Sequence, residues 1–270
     1  MNSTPAGTAG TAGPAGARVA LMYHALTGTG SPIEGQDRHY SVSSEQFDAH
    51  VALLRERGRG GISTRDWLGG DGDGTLLTFD DGHVSNYALA FPLLVERGAS
   101  ADFFVNPGRV GSSGFADWAQ LREMADGGMS IQSHGWDHRY FTELTPAELH
   151  QDLLRSRLAI EDAIGRPVRL LTPPGGRMPA GLVAAARAAG YEHVLGSQPG
   201  TIDARDASLL PRMAVTAGLN DRTLGQWLNG DGIAGARARY AVLGFAKRAL
   251  GNRTYERVRR ELLGQSRSDA

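Results

Sequence analysis

Residues 75–82 of the 270-residue chain read TLLTFDDG, and this stretch decides both the fold class and the chemistry. Residues 75–79 are apolar or β-branched, which is typical of a buried strand. Asp80, Asp81 and Gly82 follow directly and favour a turn. Two adjacent carboxylates after a hydrophobic strand repel each other and lose hydration unless a cation or hydrogen bonds compensate. The stretch therefore predicts either a functional acidic pair or a solvated turn.

About 50 residues further on, residues 133–138 read SHGWDH. His134 and His138 are four apart and can converge on one metal ion, for which neutral imidazole is the usual nitrogen ligand. The alternative is a pair of unrelated surface or core histidines, but this pair also follows a predicted strand. With one Asp of residues 75–82 it offers three ligands and leaves room for water, as catalytic metal sites do. Such an ion acidifies its bound water and the second carboxylate can take the proton, which predicts metal-assisted hydrolysis.

Predicted strands and helices alternate along the chain. The strands cover residues 18–25, 75–79, 101–105, 129–133, 168–171, 193–196 and 209–215; the helices cover residues 44–57, 86–97, 117–126, 145–164 and 179–189; and residues 62–68 favour a short strand or a turn. This alternation predicts a parallel α/β fold, either a barrel or an open sheet. Because the carboxyl ends of parallel strands face one side, polar residues that follow the strands are expected to form one site: His24, Asp80, Asp81, His134, His138 and Arg177.

The composition excludes several classes of function. The chain has no cysteine, which rules out disulfides, Cys-ligated zinc, iron–sulfur clusters and a thiol nucleophile. Its formal net charge of −1 argues against bulk electrostatic capture of nucleic acid. The sequence shows neither a secretory signal pattern nor an apolar run approaching the roughly 20 residues of a membrane-spanning helix. These features predict a cytoplasmic protein.

The two ends of the chain differ in composition from the middle. Residues 1–17 are small and uncharged and predict a disordered tail, whereas residues 18–231 form the predicted catalytic domain. Residues 232–270 are rich in arginine interleaved with apolar residues, which predicts a basic helical extension. Such an extension either caps the domain or makes peripheral contact with an anionic membrane surface.

The combination of TFDDG, HxxxH and a later Pro-Pro-Gly segment resembles the polysaccharide deacetylase family, which has the NodB homology domain and forms carbohydrate esterase family 4. The resemblance covers roughly residues 18–215. It implies a distorted (β/α) barrel with fewer than eight full units, one divalent metal ion, often zinc, and hydrolysis of N-acetyl groups on amino sugars. By the same resemblance Asp80 matches the catalytic base, and Asp81, His134 and His138 match the metal ligands.

Two departures from the family pattern affect the predicted site. Residues 172–177 read TPPGGR, so that Thr172 stands where the motif has the arginine that orients the base. Arg177 is a candidate replacement, and Pro174 belongs to the same segment. No histidine follows His193, so the late general-acid histidine is missing.

The early residues Met22, Tyr23 and His24 resemble the Met-Tyr-His segment of the subgroup that deacetylates poly-N-acetylglucosamine in exopolysaccharide synthesis. That resemblance implies His24 as the acid; the alternative is a packed histidine at a strand end. Trp136 is a candidate for stacking on a sugar ring, although core packing is the commoner role of such aromatics.

The leading functional prediction is a metal-dependent hydrolase that removes N-acetyl groups from N-acetylhexosamine units of a glycan or a lipid-linked glycan precursor. Two alternatives stay open from the sequence: a deformylase or amidase acting on another small amide, and a degenerate module that binds glycan without turnover. The missing arginine and late histidine favour the degenerate module, whereas the intact TFDDG and histidine pair argue against it.

Overall fold

The computed structural model describes residues 18–28, 37–70 and 73–242. The predicted tail, residues 1–17, lies outside the described residues, as does most of the predicted extension. The first part of that extension, residues 233–242, is helical. Within the described residues no helix has the length and apolar character needed to span a membrane.

A curled parallel sheet forms the centre of the protein, and it confirms the predicted distorted barrel. Its nine strands are β1 (Ala20–Tyr23), β4 (Gly61–Ile62), β5 (Thr75–Phe79), β6 (Asp102–Val105), β7 (Ser130–Ser133), β8 (Leu170–Leu171), β9 (His193–Leu195), β10 (Leu209–Leu210) and β11 (Met213–Ala214). Their order across the sheet is β10-β9-β8-β7-β6-β5-β1-β11, and β4 also pairs with β5. A separate parallel pair joins β2 (Ala25–Thr27) to β3 (Ser41–Ser43). Every strand pairing in the described residues is parallel, as the alternation of strands and helices predicts.

The two edge strands of the sheet are consecutive in the chain. β10 ends at Leu210 and β11 begins at Met213, so only Pro211 and Arg212 separate them. Three residues of extended chain span at most about 10 Å, so the two edges must approach each other closely. The prediction of one strand over residues 209–215 is therefore wrong: two short strands close the barrel across a gap, called the seam below. Proline lacks the N–H that a continuous ladder would use, which is consistent with the interruption.

Helices pack around the sheet, and their ends follow the sequence signals. They are α1 (Ser44–Glu56), α2 (Thr64–Gly69), α3 (Phe91–Arg97), α4 (Trp118–Asp126), α5 (Pro146–Ile164), α6 (Leu182–Ala188) and α7 (Asp221–Leu228). α5 begins with a capping box in which Thr145 and Glu148 bond each other's backbone N–H groups, and it ends at Gly165 with a left-handed φ of 70°. Residues 62–68 differ from the prediction, because Ser63 caps α2 directly after β4. The predicted helix over residues 86–97 begins with a π-helical turn, Asn86–Ala90, and continues as α3.

Apolar side chains form one layer on each face of the sheet. The inner layer fills the barrel with one residue from most strands together with Trp67 and Ile202: Ala20, Leu76, Phe104, Leu170, Leu195 and Leu210. Neighbouring residues such as Leu77 and Phe103 belong to the outer layer, beneath the helices. This alternation follows from the two-residue period of a strand. Residues an even number of positions beyond the inner layer therefore point toward the mouth of the barrel.

Candidate active site

The two-residue period brings the predicted site residues to one end of the barrel. His24 lies four residues beyond Ala20, Asp80 four beyond Leu76, and Thr172 two beyond Leu170, so each follows an inward-facing position. All three come directly after, or shortly after, the carboxyl end of a parallel strand. The three side chains therefore lie at the same end of the sheet.

Asp81, His134 and His138 form a compact set of potential metal ligands. The Oδ1 atom of Asp81 lies 3.3 Å from Nε2 of His134 and 3.3 Å from Nε2 of His138. One ligating atom from each residue falls within 4.8 Å of the others. Tetrahedral zinc with bonds of about 2.0–2.1 Å separates its ligand atoms by about 3.3–3.4 Å. Asp81 Oδ1 is buried and has no hydrogen-bond partner among the described residues, so the donor set fits a divalent ion.

Hydrogen bonds from neighbouring strands fix the orientation of His134. Its Nδ1 atom lies 3.0 Å from the carbonyl oxygen of Thr172 and 2.5 Å from Oγ1 of the same residue. An Nδ1–H that donates to these acceptors leaves the lone pair of Nε2 directed at the ligand set. Asn106 donates from Nδ2 to the carbonyl oxygens of His134, at 2.5 Å, and Gly135, at 3.1 Å. Thr172, which replaces the expected arginine, therefore supports a ligand of the metal set.

Two of the three ligands adopt a strained backbone conformation. Asp81 has a φ of 77° and His138 a φ of 66°, and they are the only non-glycine residues with positive φ in the described part of the chain. This left-handed region costs most L-residues of order 1–3 kcal/mol. Such strain persists where the surrounding structure enforces it, and it clusters at ligand-binding sites. The backbone at both positions is therefore typical of a ligand-binding site.

The charge of Asp81 is strongly stabilised. Burial alone would raise the pKa of this carboxyl, but the adjacent imidazoles of His134 and His138, each 3.3 Å from Oδ1, outweigh burial and hold the pKa well below its usual range. Asp81 is consequently an anion, which is the form that binds a metal ion.

Asp80 has a different partner from Asp81. Arg212 donates from Nη1 to Oδ1 and from Nη2 to Oδ2 of Asp80, both at 2.7 Å. The guanidinium also donates to the Gly196 carbonyl at 2.9 Å and to Oγ1 of Thr78 at 3.1 Å. Burial would raise the pKa of Asp80, but the charge of Arg212 and the other contacts lower it overall. The two carboxylates are thus held by separate groups and are free to perform separate tasks.

The candidate replacement Arg177 does not occupy the position beside Asp80. Its guanidinium stacks on the ring of Tyr140, 3.9 Å from the ring centroid. Arg212, at the seam, holds Asp80 instead, because it lies two positions after the inward-facing Leu210. The interpretation of Arg177 as the arginine that orients Asp80 is therefore corrected. The signal that points to Arg212 is its place as the one charged residue within the apolar stretch of residues 209–215.

Two further predicted site residues have other surroundings. Pro174 is buried in a 3₁₀ turn and anchors the segment after β8. Trp136 is half-buried and carries the guanidinium of Arg155 on its ring, 3.4 Å from the centroid. The tryptophan borders a shallow cavity of about 510 Å³ with Trp118 and Arg122, between α4 and α5.

His24 lies between β1 and β2, at the edge of the group. Its ring packs on Tyr40 with centroids 4.8 Å apart, and its Nδ1 atom is buried without a hydrogen-bond partner among the described residues. Burial lowers the pKa of His24, while the nearby charges of Asp81 and Asp80 act in the opposite direction. The side chain is therefore within electrostatic range of both carboxylates, as a proton donor at this site has to be.

Comparisons with known proteins place this arrangement in context. A family model described as polysaccharide deacetylase matches residues 70–194. YxkH of Bacillus subtilis (strain 168), which is assigned to the polysaccharide deacetylases, is 27% identical over 217 residues, 77% of this chain and 75% of YxkH. A peptidoglycan-N-acetylglucosamine deacetylase of Bacillus cereus is 31% identical over 122 residues, 45% of this chain and 55% of that relative, so this match spans about half of the relative's length. The structure of IcaB from Ammonifex degensii superposes with a TM-score of 0.65 at 25% identity, covering 83% of this chain and 98% of that chain.

Proposed function

The chain belongs to the polysaccharide deacetylase family, and from this premise we propose that it removes N-acetyl groups from N-acetylhexosamine units of a glycan. Asp81, His134 and His138 hold a divalent ion in this proposal, with zinc as the first choice. The observation that carries the proposal is the division of the acidic pair: Asp81 faces two imidazoles, and Asp80 faces Arg212. One carboxylate is arranged to bind a cation, and its neighbour is held next to it as a base.

The proposed chemistry is hydrolysis of an amide. A divalent ion at the ligand set supplies polarisation of the acetyl carbonyl and acidification of a water molecule. Asp80 accepts the proton of the water that attacks the carbonyl carbon, and the bidentate Arg212 keeps its carboxylate oriented toward that water. The C–N bond then breaks, giving acetate and the free amine of the sugar.

The leaving amine needs a proton, and His24 is the proposed donor. The lowered pKa of the His24 imidazolium makes it a stronger acid, which favours transfer to the amide nitrogen as the C–N bond breaks. The same shift reduces its protonated fraction at neutral pH. The neighbouring carboxylates oppose the effect of burial on this pKa, although burial outweighs them.

The proposed substrate class is an exopolysaccharide that contains N-acetylglucosamine, and a lipid-linked glycan is the second candidate. The Met22-Tyr23-His24 segment and the likeness to IcaB support the first choice. Contact of residues 232–270 with an anionic membrane surface falls mainly on residues outside the described ones and stays a prediction, as does a cytoplasmic location.

The structure also bears on the alternative of a degenerate binding module. The missing arginine and the missing late histidine both favour degeneracy; Arg212 lies next to Asp80 in place of the first, and His24 is proposed in place of the second. The ligand set and the acidic pair are both complete. No observation favours a deformylase or an amidase for another small amide.

The proposal is tested by incubating the purified chain with N-acetylchitooligosaccharides and zinc, and by measuring released acetate together with new primary amine. We expect acetate and primary amine to be released in equimolar amounts, and a chelator to stop the reaction. The rate should fall at least 100-fold in Asp80→Asn and His134→Ala. Full activity in either variant would show that the proposed site is wrong. Cleavage of formyl or other small amides without sugar deacetylation would favour the amidase, and glycan binding without turnover would favour the binding module.

A further inference from the structure

The strand that carries His24 is held by a second element, the π-helical turn Asn86–Ala90. This turn begins five residues after Asp81 and precedes α3. Its defining bond runs from the Phe91 N–H to the Asn86 carbonyl, five residues earlier. Short π-helical segments within helices occur frequently at functional sites, and this one widens the helix where it passes His24.

The backbone around His24 forms two hydrogen bonds with the start of this helix, accepting one and donating the other. Asn86 donates from Nδ2 to the His24 carbonyl oxygen at 2.7 Å, and the Leu26 N–H donates to Oγ of Ser85 at 2.9 Å. A carbonyl can only accept, so the amide orientation of Asn86 follows from the contact itself. His24 interrupts β1 and β2, so it needs these side-chain partners in place of a strand ladder.

The side chain of Asn86 does more than fill space in the core. Its side chain is buried, and its Oδ1 atom has no hydrogen-bond partner among the described residues. A buried acceptor without a partner costs about 1–3 kcal/mol, and an apolar residue of similar size would avoid this cost. The retained amide therefore makes a contribution that packing alone does not explain, and its one described hydrogen bond goes to His24.

We propose that Asn86 is a positioning residue for proton donation by His24, an inference that rests on the function proposed above. The amide of Asn86 fixes the backbone at His24. The imidazole packs on the ring of Tyr40, and its Nδ1 atom has no hydrogen-bond partner among the described residues. The backbone anchor consequently determines where the proton donor lies relative to the leaving nitrogen.

The test uses two substrates that differ in their need for an acid. An N-acetylchitooligosaccharide releases an amine, which must be protonated as it leaves. The acetyl ester of 4-nitrophenol releases a phenolate, which leaves without a proton. Loss of a general acid, typically worth about 10²–10⁴-fold, should therefore appear with the amide and be nearly absent with the ester.

Asn86→Asp is the main variant because it keeps the size of the side chain and removes the donor, and Asn86→Ala is the second. We expect both to lower kcat on the amide at least 10-fold, with KM and ester hydrolysis within twofold of the parent. His24→Ala should show the same selectivity, and adding Asn86→Ala to it should cause no further loss. Tyr87→Phe is the matched control, because Tyr87 lies on the same turn and bonds the exposed Glu123; it should leave both rates unchanged.

Equal losses on amide and ester, or a further loss on top of His24→Ala, would overturn the inference and leave Asn86 with a structural role. Selective loss in His24→Ala with unchanged Asn86 variants would also overturn it, while the proposed acid would stand. A His24→Ala variant without selectivity would instead refute the proposed acid, and the inference would fall with it.

Discussion

Arg212 and Asp80 form a bidentate ion pair across the seam of the barrel, with both N–O distances 2.7 Å. The two side chains are 0% and 4% exposed. Breaking a buried pair by removing one partner costs about 3–5 kcal/mol, because the other charge stays buried. The pair therefore couples closure of the barrel to the orientation of the acidic residue at its mouth.

Replacing Arg212 should affect both stability and catalysis. We expect Arg212→Ala to lower the free energy of unfolding by about 3–5 kcal/mol. Arg212→Lys keeps the charge but cannot hold both oxygens, so we expect kcat to fall about 100-fold with a smaller loss of stability. Urea denaturation and steady-state kinetics measure the two effects.

The surface pair of Arg97 and Asp48 is a matched control for this prediction. It is also bidentate, at 2.8 and 2.7 Å, but its side chains are about one third exposed. Arg97→Lys should cost less than about 1 kcal/mol and leave kcat unchanged. If Arg212→Lys behaved like Arg97→Lys, the buried pair would have no role in orienting Asp80.

The sequence predicts local parts of this site better than distant ones. Asp81, His134 and His138 lie in short motifs that follow strands, so their proximity follows from the geometry of parallel sheets. Arg212 is 132 positions from Asp80, and its role depends on a seam that no single motif encodes. Helix ends with capping residues are likewise predicted well, whereas the π-helical turn depends on tertiary contacts of residues 85 and 86.

Metal binding should stabilise the folded protein through Asp81. Addition of zinc at about 100 times its Kd should raise the free energy of unfolding by about 2.7 kcal/mol, since the unfolded chain lacks the assembled site. Asp81→Asn should lose this gain, because an amide is a far weaker ligand than a carboxylate. His150→Ala removes an exposed histidine of α5 and should keep the full gain. Denaturation with and without chelator measures the effect, and equal gains in all three proteins would place the ion elsewhere.

Thr172 should tune metal affinity through its contact with His134. Thr172→Val keeps the shape of the side chain and the backbone acceptor but removes Oγ1, which lies 2.5 Å from Nδ1 of His134. We expect zinc affinity to fall by about 10–100-fold, the usual effect of losing a group that supports a ligand. Thr172→Ser retains the hydroxyl and should stay close to the parent. Competition with a chromophoric chelator gives the affinities; equal values for Val and Ser would show that the backbone carbonyl alone orients the ring.

Asp102 should give the protein a pH-dependent stability that is independent of the site. Its carboxylate accepts hydrogen bonds from the N–H groups of Thr64, at 2.5 Å, and Arg65, at 3.4 Å, at the start of α2. Burial raises the pKa of Asp102 from 3.8 to about 6 despite these bonds. The folded state therefore takes up a proton before the unfolded state does, and stability from this group increases as pH falls from about 6 to about 4.

The difference between the parent and Asp102→Asn isolates this contribution, which reaches about 3 kcal/mol for a shift of this size. Relative to the variant, the parent should gain stability on acidification from pH 6.5 to 4.5 and show a constant difference above pH 7. Asp66→Asn is a control for which we expect the opposite pH dependence of stability. Burial raises the pKa of Asp66, but hydrogen bonds from Ser100, Ser63 and Arg65 lower it overall, so the parent should lose stability relative to that variant as pH falls. Urea denaturation in chelator at each pH measures both differences. If the parent instead lost stability relative to Asp102→Asn on acidification, the pKa of Asp102 would be lowered in the folded state. Its hydrogen bonds to the start of α2 would then outweigh its burial.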